Sequence, residues 1–197
     1  NKYDFYTYGQ IIRNKIPEIS NFYILHEGLI ATLDDELIEE DYDDIQDKKF
    51  SRTAQKGWLG IGDKYWITSL IPPREKEFKT TFDYKKKFRA NFIATEPLKL
   101  DSNAKIEEEF QVIIAAKRVD IIDGYAETLN IDKFDLAIDW GFLYFITKPL
   151  FFGIDYFFKQ LGNYGLAIIA ITICIRLAFF PLANFSFRSM AKMKALQ

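Results

Sequence analysis

The sequence LAIIAITICIRLAFFPL (Leu166 to Leu182) contains a single ionised side chain, Arg176, and from Lys159 to Arg188 no other residue is charged. A guanidinium is permanently cationic and carries five N–H donors. In an apolar helix it costs ~2.5–3.5 kcal/mol on insertion scales, so something must offset it. Its chemistry is electrostatic: it attracts carboxylates and accepts no proton. Thr172 lies four residues earlier, on the same helical face, and Ile168 or Ile169 and Gly165 continue that stripe. Two readings fit. Arg176 sits six residues before Leu182, roughly 9 Å from that end of the helix, so its head could snorkel to water. Alternatively, a water-filled cavity among helices keeps it hydrated. The alignment of cation, hydroxyl and small residue favours the cavity.

Other chemistry has little to work with. His26 is the sole histidine and Cys174 the sole cysteine, so multi-histidine metal sites, CxxC pairs and disulfides within the chain are excluded. No GxSxG, HExxH or phosphate-binding loop occurs, and GIGDK (Gly60 to Lys64) is an isolated GxG. No catalytic residue, cofactor or metal is expected, and His26 is read as a satisfied strand histidine. The acidic run DDELIEEDYDD (Asp34 to Asp44) lacks the glycine and alternating oxygens of a calcium loop and is read as a solvated loop. KKK at Lys85 to Lys87 is read as a solvated strand edge.

Charge divides the chain. Up to Asp139 there are 27 acidic and 20 basic residues; beyond it there are six basic residues and one acid, Asp155. Two regions in two solvents is the simplest account. The first is rich in β-branched and aromatic residues spaced among charges, as in NFYILHEGLIATL (Asn21 to Leu33, with a turn expected at Glu27-Gly28) and FKTTFDYKKKFRANFIAT (Phe78 to Thr95). KIEEEFQVIIAAKRVDII (Lys105 to Ile122) predicts a strand followed by a helix start. The expected fold is mainly β, an antiparallel β-sandwich over residues 1–138 with sheets facing water on one side. KGWLGIGDKYWITSLIPPRE (Lys56 to Glu75) predicts a short helix and a strand, its aromatics forming a hydrophobic plug at one end of the sandwich rather than a binding surface.

The second region predicts helices. Over 139–161, Leu150, Ile154, Phe157, Phe158 and Leu161 fall at helical spacing while Lys148, Asp155 and Lys159 share another face. That is the pattern of an amphipathic interface helix, with Trp140, Tyr144 and Tyr156 at headgroup level. Residues 162–184 are long enough to cross a hydrocarbon core of ~30 Å. Arg188, Lys192 and Lys194 follow without an acid, which places that end in the cytoplasm and residues 1–161 outside the inner membrane. The ends read as those of a fragment of a longer protein.

DLAIDWGFLYFITKPLF, GNYGLAIIAITICIRLAFFPL and SFRSMAKMKALQ closely resemble the YidC-type membrane protein insertases of Gram-negative bacteria, and YILHEGLIATLDDELIEEDYDD and KGWLGIGDKYWITSLIPP resemble their large periplasmic domain. The resemblance implies the C-terminal part of the periplasmic sandwich (1–138), the interface helix (139–161), one transmembrane helix (162–184) and the start of a cytoplasmic helical hairpin (185–197). It also implies a hydrophilic substrate groove containing Arg176, Thr172 and Gly165. Residues Arg188, Lys192 and Lys194 would form a cytoplasmic contact region. The implied partners are nascent membrane proteins, membrane lipids, and a Sec translocon and ribosome; sequence-specific nucleic-acid recognition is not implied. A competing reading from another class is a membrane-tethered periplasmic binding or chaperone module, for which an uninterrupted apolar helix would be expected.

Overall fold

The structure, a computed structural model, describes residues 4–16, 25–99, 105–141 and 143–194. The stretch Asn21–Ile24 of the expected first strand lies outside them. The chain divides into two compact units, Asn1–Asp139 and Trp140–Gln197.

In the first unit the strands are β1 (Tyr8–Arg13), β2 (Gly28–Leu33), β3 (Glu36–Asp41), β4 (Phe50–Ala54), β5 (Gly57–Gly62), β6 (Trp66–Ile71), β7 (Phe78–Tyr84), β8 (Phe88–Ala94) and β9 (Gln111–Ala116). Helix α1 (Tyr42–Asp47) lies between β3 and β4; α2 (Val119–Thr128) and a 3-10 turn (Phe134–Ala137) follow β9. The strands make a four-stranded sheet in the order β1-β8-β7-β4 and a five-stranded sheet in the order β3-β2-β5-β6-β9. Every pairing is antiparallel. This is the expected sandwich.

Period-two alternation builds the inter-sheet core. Leu29, Ala31, Leu33, Leu59, Ile61 and Leu70 from the five-stranded sheet meet Phe78, Phe82, Phe88, Ala90 and Phe92 from the other. The remaining face of the five-stranded sheet is not in water. Ile30, Trp58, Ile67, Ile113 and Ala115 are buried there beneath Ile122 of α2 and Ile131, Phe134 and Ala137. The centre of this sheet is therefore covered on both faces, and all six residues of β2 are buried. Burying each large side chain is worth ~1.5–3 kcal/mol, which explains how GLIATL can sit inside with no charged position.

Four local expectations are corrected. KGWLGIGDKYWITSL forms the β5–β6 hairpin, with no helix, and Trp58 lies under α2 and the 3-10 turn rather than plugging an end. The acidic run is ordered: Asp34 and Asp35 make a two-residue turn at φ 49° and 70°, and β3 and α1 follow. In that segment Ile38, Tyr42 and Ile45 point inward. Lys85 to Lys87 form the β7–β8 turn, not a strand edge. β2 starts at Gly28 where a turn was expected, and His26 precedes it, Nδ1 3.2 Å from Asp41 and Nε2 3.3 Å from the Leu29 carbonyl. Burial lowers the Lys117 ammonium below its usual range, against the opposing pull of the Asp139, Glu39, Asp63 and Glu27 carboxylates.

Candidate functional site

The second unit holds α3 (Tyr144–Leu161) and α4 (Tyr164–Lys194). α3 stops at Gly162, which takes φ 64° and returns its N–H to the Phe158 carbonyl at 2.8 Å; the left-handed turn suits a residue without Cβ. Asn163 then caps α4, its Oδ1 accepting the Leu166 N–H at 3.2 Å. Within α3, Pro149 removes one backbone donor. Thr147 Oγ1 donates to the Trp140 carbonyl at 2.8 Å, and the Lys148 ammonium lies over the rings of Tyr144 at 5.5 Å and Trp140 at 5.8 Å. Lys148, Asp155 and Lys159 fall within a narrow sector of the helix at ~100° per residue, and Asp155 and Lys159 are ion-paired at 2.7 Å.

α4 is long and apolar enough over Tyr164–Leu182 to cross a membrane; those 19 residues span ~28 Å, close to a hydrocarbon core. It continues unbroken through Pro181, and the backbone of Arg188, Lys192 and Lys194 extends the same helix. One side of α4 meets α3. Ala167 is fully buried there, Ala170 and Ile171 are half-buried, and Gly153 of α3 leaves room for the Ile171 Cδ1, which would stand 2.8 Å from a Cβ at that position.

The three candidate residues lie on the other side. Arg176 is nine residues from Ala167, two and a half turns, and so points the opposite way. Gly165 and Thr172 fall within ~40° of the same line at ~100° per residue. All three are exposed. Thr172 Oγ1 donates to the Ile168 carbonyl at 2.7 Å, so the hydroxyl's proton is used within the helix while its oxygen keeps acceptor capacity, one turn from Arg176. The only acid of this unit, Asp155, is engaged by Lys159. The sequence pattern aligned these residues with one another but did not place them opposite α3; the small residues Ala167 and Gly153 carry that information.

Such a face can hold an anionic or hydrogen-bonding group against an otherwise greasy surface, and it offers no nucleophile or base. Comparison with known proteins agrees with a membrane role. Residues 1–152 match the family model of the YidC periplasmic domain and residues 156–197 that of the 60Kd inner membrane protein. Proteins described as "Membrane protein insertase YidC" are similar over nearly the whole chain. The one from Pelagibacter ubique (strain HTCC1062) is 74% identical over 194 residues, covering 98% of this chain and 35% of the relative. The one from Mesorhizobium japonicum is 41% identical over 199 residues (98% and 33%), and the one from Agrobacterium fabrum 38% identical over 200 (98% and 33%). The chain thus spans about a third of the length of the curated relatives it matches. With the sandwich matched by one model and the apolar helix by the other, the chain belongs to the YidC family of inner membrane proteins.

Proposed function

We propose that this chain is part of a membrane protein insertase, and that Arg176, Thr172 and Gly165 form one wall of a hydrophilic groove that receives nascent membrane proteins. The observation that carries the reading is the orientation of α4: its polar stripe faces away from α3, where further helices of a longer polypeptide would close the groove. The work done is physical. A hydrophilic tail enters beside Arg176, whose charge lowers the cost of its acidic residues leaving water. The substrate's apolar span then moves into lipid, driven by burial of apolar surface. Attraction between unit charges 4 Å apart is ~1 kcal/mol in water and ~4 kcal/mol at an effective dielectric of ~20, so a semi-enclosed groove makes the same arginine several times more effective.

In this reading 1–138 is the periplasmic domain, 139–161 lies in the membrane interface, 162–184 spans, and 185–197 opens a cytoplasmic hairpin. Arg188, Lys192 and Lys194 belong to the region that receives the ribosome or the arriving substrate, with a Sec translocon as a further partner. The test is protease protection of inserted substrate in vesicles carrying full-length variants. Arg176→Lys should largely preserve insertion; Arg176→Glu should block acidic-tailed substrates and spare neutral-tailed ones. Equal insertion of acidic tails by Arg176→Glu would make Arg176 a snorkelling residue and remove the groove role.

A further inference from the structure

The end of the sandwich from which the chain leaves toward α3 has an unusual surface. Two hairpin tips meet there. The β5–β6 tip carries Asp63, Lys64 and Tyr65 and leads into Trp66; the β7–β8 tip is Lys85–Lys87. Arg13 links them: it pairs with Phe88 at the base of the second tip, and its guanidinium is ion-paired with Asp63 in the first. Asp139 is at the same end. Gly28 pairs with Gly62 beside the first tip, and the backbone N–H of nearby His26 donates to the Asp139 carboxylate at 3.0 Å. The Tyr65 carbonyl is held by the Lys117 N–H at 2.8 Å, so the tip is anchored to the segment that opens α2.

The tip's large rings are turned outward. Tyr65 is 66% exposed and Trp66 59%, while Trp58 on the neighbouring strand is fully buried. Lys64 lies 5.2 Å from the Tyr65 ring centroid, and Lys85, Lys86 and Lys87 are exposed at the β7–β8 tip. Tryptophan and tyrosine bearing a polar handle, flanked by lysines, match the layer between water and hydrocarbon, where rings sit among headgroups and ammonium groups meet phosphates. Only four residues lie between Asp139 and Tyr144, the first residue of α3, so the extended chain reaches at most ~18 Å. Of the acids at this end, Asp63 is paired with Arg13 and Asp139 accepts from the His26 N–H, while Asp41, Asp43 and Asp44 sit at the β3–α1 corner and would keep that corner out of an anionic surface.

We propose that the β5–β6 tip is a membrane contact, with Tyr65 and Trp66 seated among lipid headgroups and Lys64 and Lys85–Lys87 meeting lipid phosphates. The contact ties the sandwich to the bilayer at a point separate from α3 and α4. The proposal rests on the reading of α4 as a membrane span.

The experiment uses the full-length protein with every native cysteine, Cys174 among them, replaced by serine, reconstituted in vesicles of phosphatidylethanolamine and phosphatidylglycerol. Single nitroxide-labelled cysteines replace Lys64, Glu96 at the opposite end of the sandwich, or Leu177 in α4, which is exposed and about 100° around the helix from Arg176. Collisions are compared between oxygen, which concentrates in lipid, and a water-soluble nickel complex. The label at 64 should lose nickel accessibility and gain oxygen accessibility relative to the label at 96, and should return to the behaviour of 96 when Tyr65→Ser and Trp66→Ser are added. A label at 64 that behaves like 96 while 177 reports lipid overturns this proposal alone. A water-exposed 177 overturns the membrane reading beneath it. A label at 64 shielded from both relaxants identifies a protein partner at the tip and also overturns the proposal, as does an environment unchanged by the double substitution.

Discussion

The indole of Trp58 meets the ring of Phe134 edge-on, with centroids 5.1 Å apart and planes at 81°. Both side chains are fully buried. The pair fastens the 3-10 turn to the outer face of the five-stranded sheet, so the segment that leads to Asp139 is held by packing. Phe134→Ala leaves a ring-sized cavity and should cost ~3–5 kcal/mol. Denaturant titration should show a lower midpoint at unchanged slope, with Trp58 emission shifted toward that of a hydrated indole. An unaltered midpoint would mean that the turn does not cover the sheet.

Two glycines should respond to alanine in opposite directions. Gly57 opens β5 at φ 132°, and a Cβ there would lie 1.8 Å from the Thr32 carbonyl oxygen. Backbone cannot give way as a side chain can, so Gly57→Ala should disrupt the β2–β5 pairing and cost upward of ~2 kcal/mol. Gly124 lies within α2 with nothing inside 4 Å of its added Cβ, so Gly124→Ala should gain ~0.8–1 kcal/mol from helix propensity. Thermal midpoints of the two variants should move in opposite directions.

The turn at Asp34-Asp35 gives a pH signature. The hydrogen bond from Lys56 lowers the Asp35 carboxyl below its ordinary value of 3.8, with Lys133 adding to the attraction, and the same hydrogen bond raises Lys56 above 10.5. A depressed carboxyl contributes stability that is fully present above its ordinary value and is lost as pH falls through the folded value. A raised lysine contributes below its ordinary value and loses that contribution as pH rises through the higher folded one. Asp35→Asn should therefore flatten the stability profile below about pH 4 and above about pH 10. The pair is exposed, so the effect is small and should fade in high salt. A profile identical to the parent at low salt would show that the pair adds nothing.

The sandwich was legible where strands alternate plainly, as in Phe78–Ala94. It was obscured where charge or glycine dominates the eye. Eight acids between Asp34 and Asp44 suggested a loop, yet Ile38, Tyr42 and Ile45 supply every inward position that β3 and α1 need. Glycines around Trp58 suggested a break; Gly60 instead permits close strand approach, since a Cβ there would lie 2.4 Å from the Thr68 carbonyl. Coverage of the sheet's second face depends on Phe134 and Ile122, residues remote in sequence from Trp58, and no local pattern announces it. In α4 the spacing of Gly165, Thr172 and Arg176 revealed a common face. Its direction required the partner helix.

That direction depends on how closely α3 approaches α4, and Gly153 is one point of contact. A Cβ on Gly153 would stand 2.8 Å from Ile171 Cδ1, the mobile end of a flexible side chain. Gly153→Ala should therefore be tolerated, since Ile171 can turn aside and alanine favours the helix. Gly153→Leu places a branched group into the space that Ile171 fills, and should cost ~1–3 kcal/mol by overpacking. Ile171→Ala alone also loses packing. Combined with Gly153→Leu it restores the room, so the double variant should be more stable than the sum of the single losses, by ~0.5–3 kcal/mol for residues in direct contact. Unfolding free energies of the four proteins in one detergent give the cycle. Strict additivity would mean that Gly153 and Ile171 do not touch, and would remove the basis for placing Thr172 and Arg176 on the face turned away from α3.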